Sequence, residues 1–364
     1  MLPEDQTEPV RAFEIRRYAC IDPAGAAIGD LPAFAHDRET LVALYRGLVL
    51  NRTFDEKAIA LQRTGRLGTY ASSLGQEAVS VGAAAAMQPD DLLLPSFREH
   101  GAQLWRGVSL VELLQYWGGD ERGSNFQAQR HDFPVSIPVA SHLPHACGVA
   151  TAMKLRNEPH AALAIFGDGA TSKGEFYESI NIAGAWALPV VFVISNNQWA
   201  ISVPRSEQTA AETLAQKAVA AGIQGIQVDG NDAIAVRRVC EDALERARSE
   251  GQPSLIEAIT YRMGDHTTAD DARRYRSDDA VSPHWKEDPV ARLRTFLTET
   301  MDWSRDEEEK LIEDCRNEVE RAAETYLSLA PEPPEAMFDW LFESLPESLG
   351  HQRAGVAGRF DRDG

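Results

Sequence analysis

The chain has 364 residues and a formal net charge of -20, with 43% hydrophobic and 25% charged residues. An acidic soluble composition argues against nucleic acid or anionic membrane as a partner, and the length allows one large domain or two smaller ones. Solubility is the preferred reading of the charge, and a basic partner docking on an acidic face is the alternative.

No stretch approaches the roughly 20 apolar residues that a membrane helix needs. The start, Met1–Glu8, is acidic, without the basic segment and apolar core of a secretory signal. Cys20, Cys147, Cys240 and Cys315 show no metal-binding spacing, so free thiols in a reducing cytoplasm are expected.

Residues 1–36 read as an extended arm rich in Pro, Gly and Ala. Asp37 can cap a helix that places Leu41, Leu44, Tyr45 and Leu48 on one face and runs towards Gly65. A turn-rich connection, 66–75, precedes a helix over 76–87. Leu92–Pro95 reads as a short buried strand, and 98–117 as mostly helical. The stretch 118–138 is irregular, and loops of that length are commonly functional.

From Ala140 the pattern alternates. Helices are expected over 145–155, 174–186, 208–221 and 231–249. Strands are expected over 161–166, 190–195, 224–228 and 254–260. This alternation predicts an α/β fold with a doubly wound parallel sheet. A polar loop spans 263–283. The segment Trp303-Ser304-Arg-Asp-Glu-Glu starts a helix in an acidic, helical tail. The expected division is an arm, 1–36, an α/β domain, 37–285, and a helical tail, 286–364.

Two clusters carry the chemistry. Gly167-Asp168-Gly169 follows the apolar run 161–166, and Asn196-Asn197 follows the apolar run 190–194. Both fall just past the carboxyl end of a buried strand, where open parallel sheets bind ligands. One carboxylate and one amide oxygen from neighbouring strand ends suit Mg²⁺, which takes its remaining ligands from a diphosphate and water. The glycines let the backbone approach phosphate oxygens. Turn-forming sequences of this kind also arise by chance.

The spacing resembles the thiamin diphosphate-binding motif, which opens Gly-Asp-Gly and ends Asn-Asn. Further segments extend the likeness: Gly65-Arg-Leu-Gly-Thr-Tyr, Gly75-Gln-Glu77, Gly167 to Asn181, Asn196 to Pro204, Val228 to Asp232, Tyr261 to Asp271 and Tyr275-Arg-Ser277. Together they resemble the α subunit of a two-subunit 2-oxo acid dehydrogenase E1 component, over roughly 37–300.

The resemblance implies a thiamin diphosphate-binding fold of the diphosphate-holding type, with a site shared between chains. Asp168 and Asn197 would bind Mg²⁺ through side chains and Trp199 through its carbonyl. Gly167, Gly169 and Ala170 would cradle the diphosphate, with backbone N–H groups at a helix start. Phe97-Arg98 matches a Tyr-Arg pair at the diphosphate end. Arg98 can bridge phosphate oxygens, or pair with Glu99 or Glu56 at the surface. Phe97 lacks the tyrosine hydroxyl, and Ser195 stands where many relatives carry Arg or Gln.

Ile137-Pro-Val139 matches the segment that holds the aminopyrimidine. His266 falls on the active-site loop histidine that contacts the diphosphate and assists transfer to a lipoyl group. Without the resemblance, a loop histidine reads as solvated. Thr267 and Ser277 match regulatory phosphorylation positions of some relatives and are read here as structural. His131, His142 and His145 are weaker candidates.

The implied reaction is oxidative decarboxylation of a 2-oxo acid, with acyl transfer to the lipoyl group of an E2 acyltransferase. The glutamate that activates the aminopyrimidine comes from an E1 β subunit, so an α₂β₂ assembly is expected. Pyruvate is the preferred substrate. Branched-chain 2-oxo acids, acetoin or transketolase-like chemistry, and an assembly subunit without catalysis are the alternatives.

Overall fold

The structure is a computed structural model and describes residues 10–363, with side chains as far as Val356. The acidic start, Met1–Glu8, lies outside the described residues.

Among the described residues, eight strands form: β1 Arg17–Tyr18, β2 Leu92–Pro95, β3 Ala162–Gly167, β4 Val190–Asn196, β5 Trp199–Ala200, β6 Val203–Pro204, β7 Gln224–Asp229 and β8 Ser254–Ile259. Six make one wholly parallel sheet in the order β1-β7-β8-β4-β3-β2. β5 and β6 form a small antiparallel ribbon beyond its edge. The expected doubly wound α/β fold is therefore present.

The apolar runs 162–166 and 190–194 form strands because both of their faces are buried. Leu163, Ile165, Val191 and Val193 join one hydrophobic cluster. Ala162, Ala164, Phe166, Val190, Phe192 and Ile194 join the other. Alternate residues thus enter opposite layers, as strand pleating dictates.

The first layer holds α1 Arg38–Arg63, α2 Glu77–Ala85, α9 Ala233–Glu250, α11 Pro289–Thr300 and α12 Arg305–Ser328. The second holds α5 His142–Arg156, α6 Gly174–Trp186 and α8 Lys217–Ala221. Cys20 and Ile21 of the arm, and Leu293, Phe296, Leu311 and Val319 of the tail, belong to the first cluster.

Local chemistry sets the helix ends. Asp37 accepts from the backbone N–H of Thr40 at 3.1 Å. Ser304 and Glu307 form a reciprocal capping box at the start of α12. The expected helical stretch 98–117 is split into α3 His100–Trp105 and α4 Leu110–Gly118. Gly107 sits between them at φ +92°, and Ser109 starts α4 with its own capping box. All four cysteines are buried and free. Among the described residues, no helix is long and apolar enough to cross a membrane.

The helix expected over 208–221 is a correction. Only α7 Arg205–Gln208 and α8 are helical, separated by an irregular loop. Thr209 is extended at φ -163°. The Arg205 guanidinium takes the carbonyls of Thr209 and Ala211 at 3.3 and 2.6 Å. Thr213 Oγ1 accepts from Gln216 N at 3.1 Å, and the Glu257 carboxylate accepts from Ala215 N at 3.0 Å. Side chains thus satisfy backbone groups that a helix would otherwise pair.

Asp232 ties the arm to the sheet. Its carboxylate accepts from Ile234 N and Ala235 N at the start of α9, and from Cys20 N and Ile21 N of the arm at 2.6 and 2.7 Å. Asp232→Ala is expected to cost roughly 2–4 kcal/mol in chemical denaturation, because a cap and two charge-assisted bonds vanish together. A cost near zero would show that apolar packing alone holds the arm.

Candidate functional site

A cavity of about 680 Å³ opens at the carboxyl edge of the sheet. Phe97 and Arg98 reach it from the segment after β2, and Ile137 and Val139 from the long loop before α5. Gly167 ends β3 and Asp168, Gly169 and Ala170 follow it, while Asn197 and Trp199 follow β4. His266 enters from the loop after β8. The strand register brings these ends together, with Gly167 opposite Ser195 and Ile194 opposite Glu257. A second cleft of about 660 Å³ lies against the tail, lined by Arg66, Arg122, Tyr326 and Trp340, and contains none of these residues.

Asp168 is buried, and burial pushes its carboxyl above the ordinary aspartate range. Gln208 Nε2 donates to its Oδ2 at 2.6 Å. Gly169 packs so closely on the β5 ribbon that a Cβ there would meet Ala200 Cβ at 2.8 Å. The turn between β4 and β5 holds Gln198 at φ +71°, a left-handed conformation costly for a residue with a Cβ.

A chain of hydrogen bonds fixes the Asn197 amide. Trp199 N–H can only donate, and it meets Asn197 Oδ1 at 3.1 Å. Asn197 Nδ2 therefore faces Gln76 Oε1, at 2.8 Å. Ser195 Oγ donates to the same Gln76 oxygen at 3.3 Å. This orientation follows from a backbone donor rather than from an arbitrary flip.

Asn197 Oδ1 keeps a second lone pair beyond the Trp199 bond. Among the described residues, no three His, Cys, Asp or Glu side chains converge on a metal position. One carboxylate, one amide oxygen and one carbonyl fit a hard cation that completes its shell with phosphate and water, and do not fit zinc. Arg262 Nη1 donates to the Trp199 carbonyl at 3.4 Å.

Two guanidinium groups, Arg98 and Arg262, stand beside these oxygens and His266. Arg98 is buried and forms no ion pair with Glu99 or Glu56. Its guanidinium donates to Ser72 O at 2.6 Å, to His266 O at 2.9 Å and to His266 Nδ1 at 3.1 Å. A guanidinium has no acceptor, so Nδ1 accepts and His266 carries its proton on Nε2. Burial, with Arg262 beside it, lowers the Arg98 pKa to about 10. Burial, then Arg98 and Arg262, lowers the His266 pKa to about 4. Phe97 stands edge-on to the His266 ring, with centroids 5.9 Å apart, and Arg98 lies over its face at 5.2 Å.

The 263–276 loop is held by its own polar groups and by the carbonyls of Tyr70 and Arg262. His266 N donates to Asp270 at 3.0 Å, Thr268 N to Tyr70 O at 2.9 Å and Ala272 N to Asp265 at 2.9 Å. Arg276 clasps the carbonyls of Arg262, Met263 and Gly264.

Other candidates fall differently. His142 lines the cavity, but its Nε2 is turned to the Ile165 carbonyl at 3.0 Å, and burial lowers its pKa to about 4. His131 and His145 are exposed and outside the lining. Thr267 lines the cavity, whereas Ser277 is exposed away from it. Ser195 turns to Gln76. Gln76, Arg262 and Gln208 also join the site, although the sequence alone marks none of them for it. The first two lie in quoted motifs, which was their only signal, and Gln208 lay at the start of the misassigned helix.

The His266 shift has a definite pH sign. Above its ordinary value of 6.5 the ring is neutral in folded and unfolded chains alike. Below it, the unfolded chain binds a proton that the folded chain resists until about 4. This histidine's contribution to stability is therefore lost as pH falls through that window. In the cofactor-free protein, ring NMR signals of His266 are expected to stay flat from neutrality down to about 5 and to titrate near 4. A midpoint near 6.5 would contradict the buried, doubly flanked imidazole.

The sequence matches the family model described as "Dehydrogenase E1 component" over residues 45–334. The chain is 40% identical over 315 residues to the "Pyruvate dehydrogenase E1 component subunit alpha" of Staphylococcus aureus strain Mu50, covering 86% of this chain and 85% of the relative. It is 45% identical over 283 residues to the protein of that name from Acholeplasma laidlawii, covering 78% and 82%. A Staphylococcus epidermidis protein of the same name is 39% identical over 315 residues. The family match spans most of the sheet and every residue of the cavity wall expected from sequence, and the chain belongs to the dehydrogenase E1 component family.

Proposed function

We propose that this chain is the α half of a thiamin diphosphate- and Mg²⁺-dependent E1 enzyme that decarboxylates pyruvate and passes the acetyl unit to a lipoyl group. One observation carries the reading: the oxygen donors Asp168 and Asn197 and the cations Arg98 and Arg262 flank a single cavity or its loop wall. A carboxylate, an amide oxygen and neighbouring guanidinium groups together suit a metal-bound diphosphate.

Asp168, Asn197 and the Trp199 carbonyl would hold Mg²⁺. Gly169 and Ala170 would present backbone N–H groups to phosphate oxygens, and Arg98 would neutralise their charge. Ile137 and Val139 would support the aminopyrimidine end. When bound, thiamin diphosphate supplies the carbon nucleophile and the electron sink for loss of carbon dioxide. His266 Nε2–H, fixed in its tautomer by Arg98, would donate a hydrogen bond in the transfer step.

The site would be completed by a β subunit. Ile137, Val139 and Ile201 line the cavity yet are 51%, 48% and 56% exposed. An apolar rim of this kind suits a covering chain. An α₂β₂ assembly, an E2 lipoyl partner and a cytoplasmic setting belong to the same proposal. Thr267 and Ser277 are read as structural.

Co-expression with the β subunit, followed by an artificial-acceptor assay, tests the reading. Pyruvate is expected to turn over faster than 2-oxoisovalerate or acetoin, and a preference for either of those would reassign the substrate. Asp168→Ala should abolish cofactor retention. His266→Ala should keep much of it while slowing transfer to lipoyl protein roughly 100-fold or more. Equal loss of binding in both variants would make His266 an anchor, and decarboxylation by the α chain alone would overturn the shared site.

A further inference from the structure

Glu257 lies on β8, outside the lining of that cavity, and borders a neighbouring cleft with Asn196, Gln198 and Trp199. It is buried, with 1% exposure, and among the described residues no Lys or Arg pairs with it. A buried carboxylate without a cation is costly unless hydrogen bonds satisfy it. Here three donors do so, each from a different segment. Asn196 Nδ2 meets Oε1 at 2.7 Å, while Ala215 N and Gln227 Nε2 meet Oε2 at 3.0 and 3.1 Å.

A carboxylate only accepts, so Asn196 must present its amide nitrogen to it. Asn196 Oδ1 is then left facing the turn, where it accepts from Gln198 N at 3.3 Å and Gln198 Nε2 at 3.1 Å. Those bonds hold Gln198 in its left-handed conformation. Asn197 and Trp199, on either side of Gln198, carry the proposed metal-binding oxygens. Through Ala215, the same carboxylate pins the loop that begins at Gln208, whose amide donates to Asp168. One buried side chain thus stands behind both halves of the clamp.

We propose that Glu257 is a positioning residue for the metal-binding turn, acting through Asn196 and through the 209–216 loop. This rests on the reading of Asp168, Asn197 and Trp199 as metal ligands. A glutamine at 257 would have one accepting oxygen, and its NH₂ group would confront either Asn196 or the donors at Ala215 and Gln227. Its backbone and volume would be retained.

The test is a Mn²⁺ titration of the α/β assembly with thiamin diphosphate present, reading free Mn²⁺ by electron paramagnetic resonance. Wild type, Glu257→Gln, Asn196→Ala and Asp168→Ala are compared, with thermal unfolding of each cofactor-free assembly. The Glu257 and Asn196 variants are expected to bind Mn²⁺ about 10–100-fold more weakly, as is typical when groups that orient metal ligands are lost. Both should recover turnover at saturating Mn²⁺ and still unfold cooperatively. A purely structural role would lower the melting temperature and leave the affinity of the folded assembly unchanged. Wild-type Mn²⁺ affinity in either variant, beside loss in Asp168→Ala, would overturn the proposal. If Glu257→Gln does not fold, Asn196→Ala decides alone. Wild-type affinity in Asp168→Ala would overturn the metal reading itself.

Discussion

The parallel register between β3 and β4 is the constraint on which the site depends. Gly167 lies opposite Ser195, so the chain leaves the sheet at Asp168 and at Asn197 from neighbouring positions. A slip of one residue would turn every side chain of a strand to the opposite layer. The two hydrophobic clusters forbid that slip, because Leu163, Ile165, Val191 and Val193 fill one and Phe166, Phe192 and Ile194 the other. Core packing therefore fixes functional geometry directly.

Around this edge the protein holds groups that are uncomfortable on their own. Burial raises the Asp168 carboxyl, and it lowers Arg98 and Arg262, which crowd a neutral His266. A cation at the acid and an anion at the guanidinium groups would relieve both sides together. Such preorganised polarity resists rearrangement because hydrogen bonds from the 263–276 loop and the Gln76–Asn197–Trp199 chain over-determine it.

Much of this was legible in the sequence. The strands at 162–167 and 190–196 announced themselves as apolar runs ending in Gly-Asp-Gly and Asn-Asn, and caps at Asp37 and Ser304 marked helix starts. The residues expected at the site reach one cavity because motifs at strand ends are brought together by the sheet. What was hidden depended on partners distant in sequence. Leu214, Ala215 and Ala218 have helical spacing, yet Arg205 and Glu257 take the backbone groups nearby. Gln76 and Arg262 gain meaning only from the side chains and carbonyls that they meet across the fold. Ser195 likewise meets its partner across the fold and helps to set the Gln76 amide.

The function proposed for the β3–β4 edge rests on a cation held by Asp168, Asn197 and the Trp199 carbonyl. A crystal structure of the α/β assembly grown with Mn²⁺ and thiamin diphosphate, with anomalous scattering measured at a Mn-sensitive wavelength, tests it most directly. One anomalous peak is expected at ligand distance, about 2.1 Å, from these three oxygens and from the diphosphate. A peak elsewhere, or a diphosphate bound without an ion beside Asp168, would contradict it.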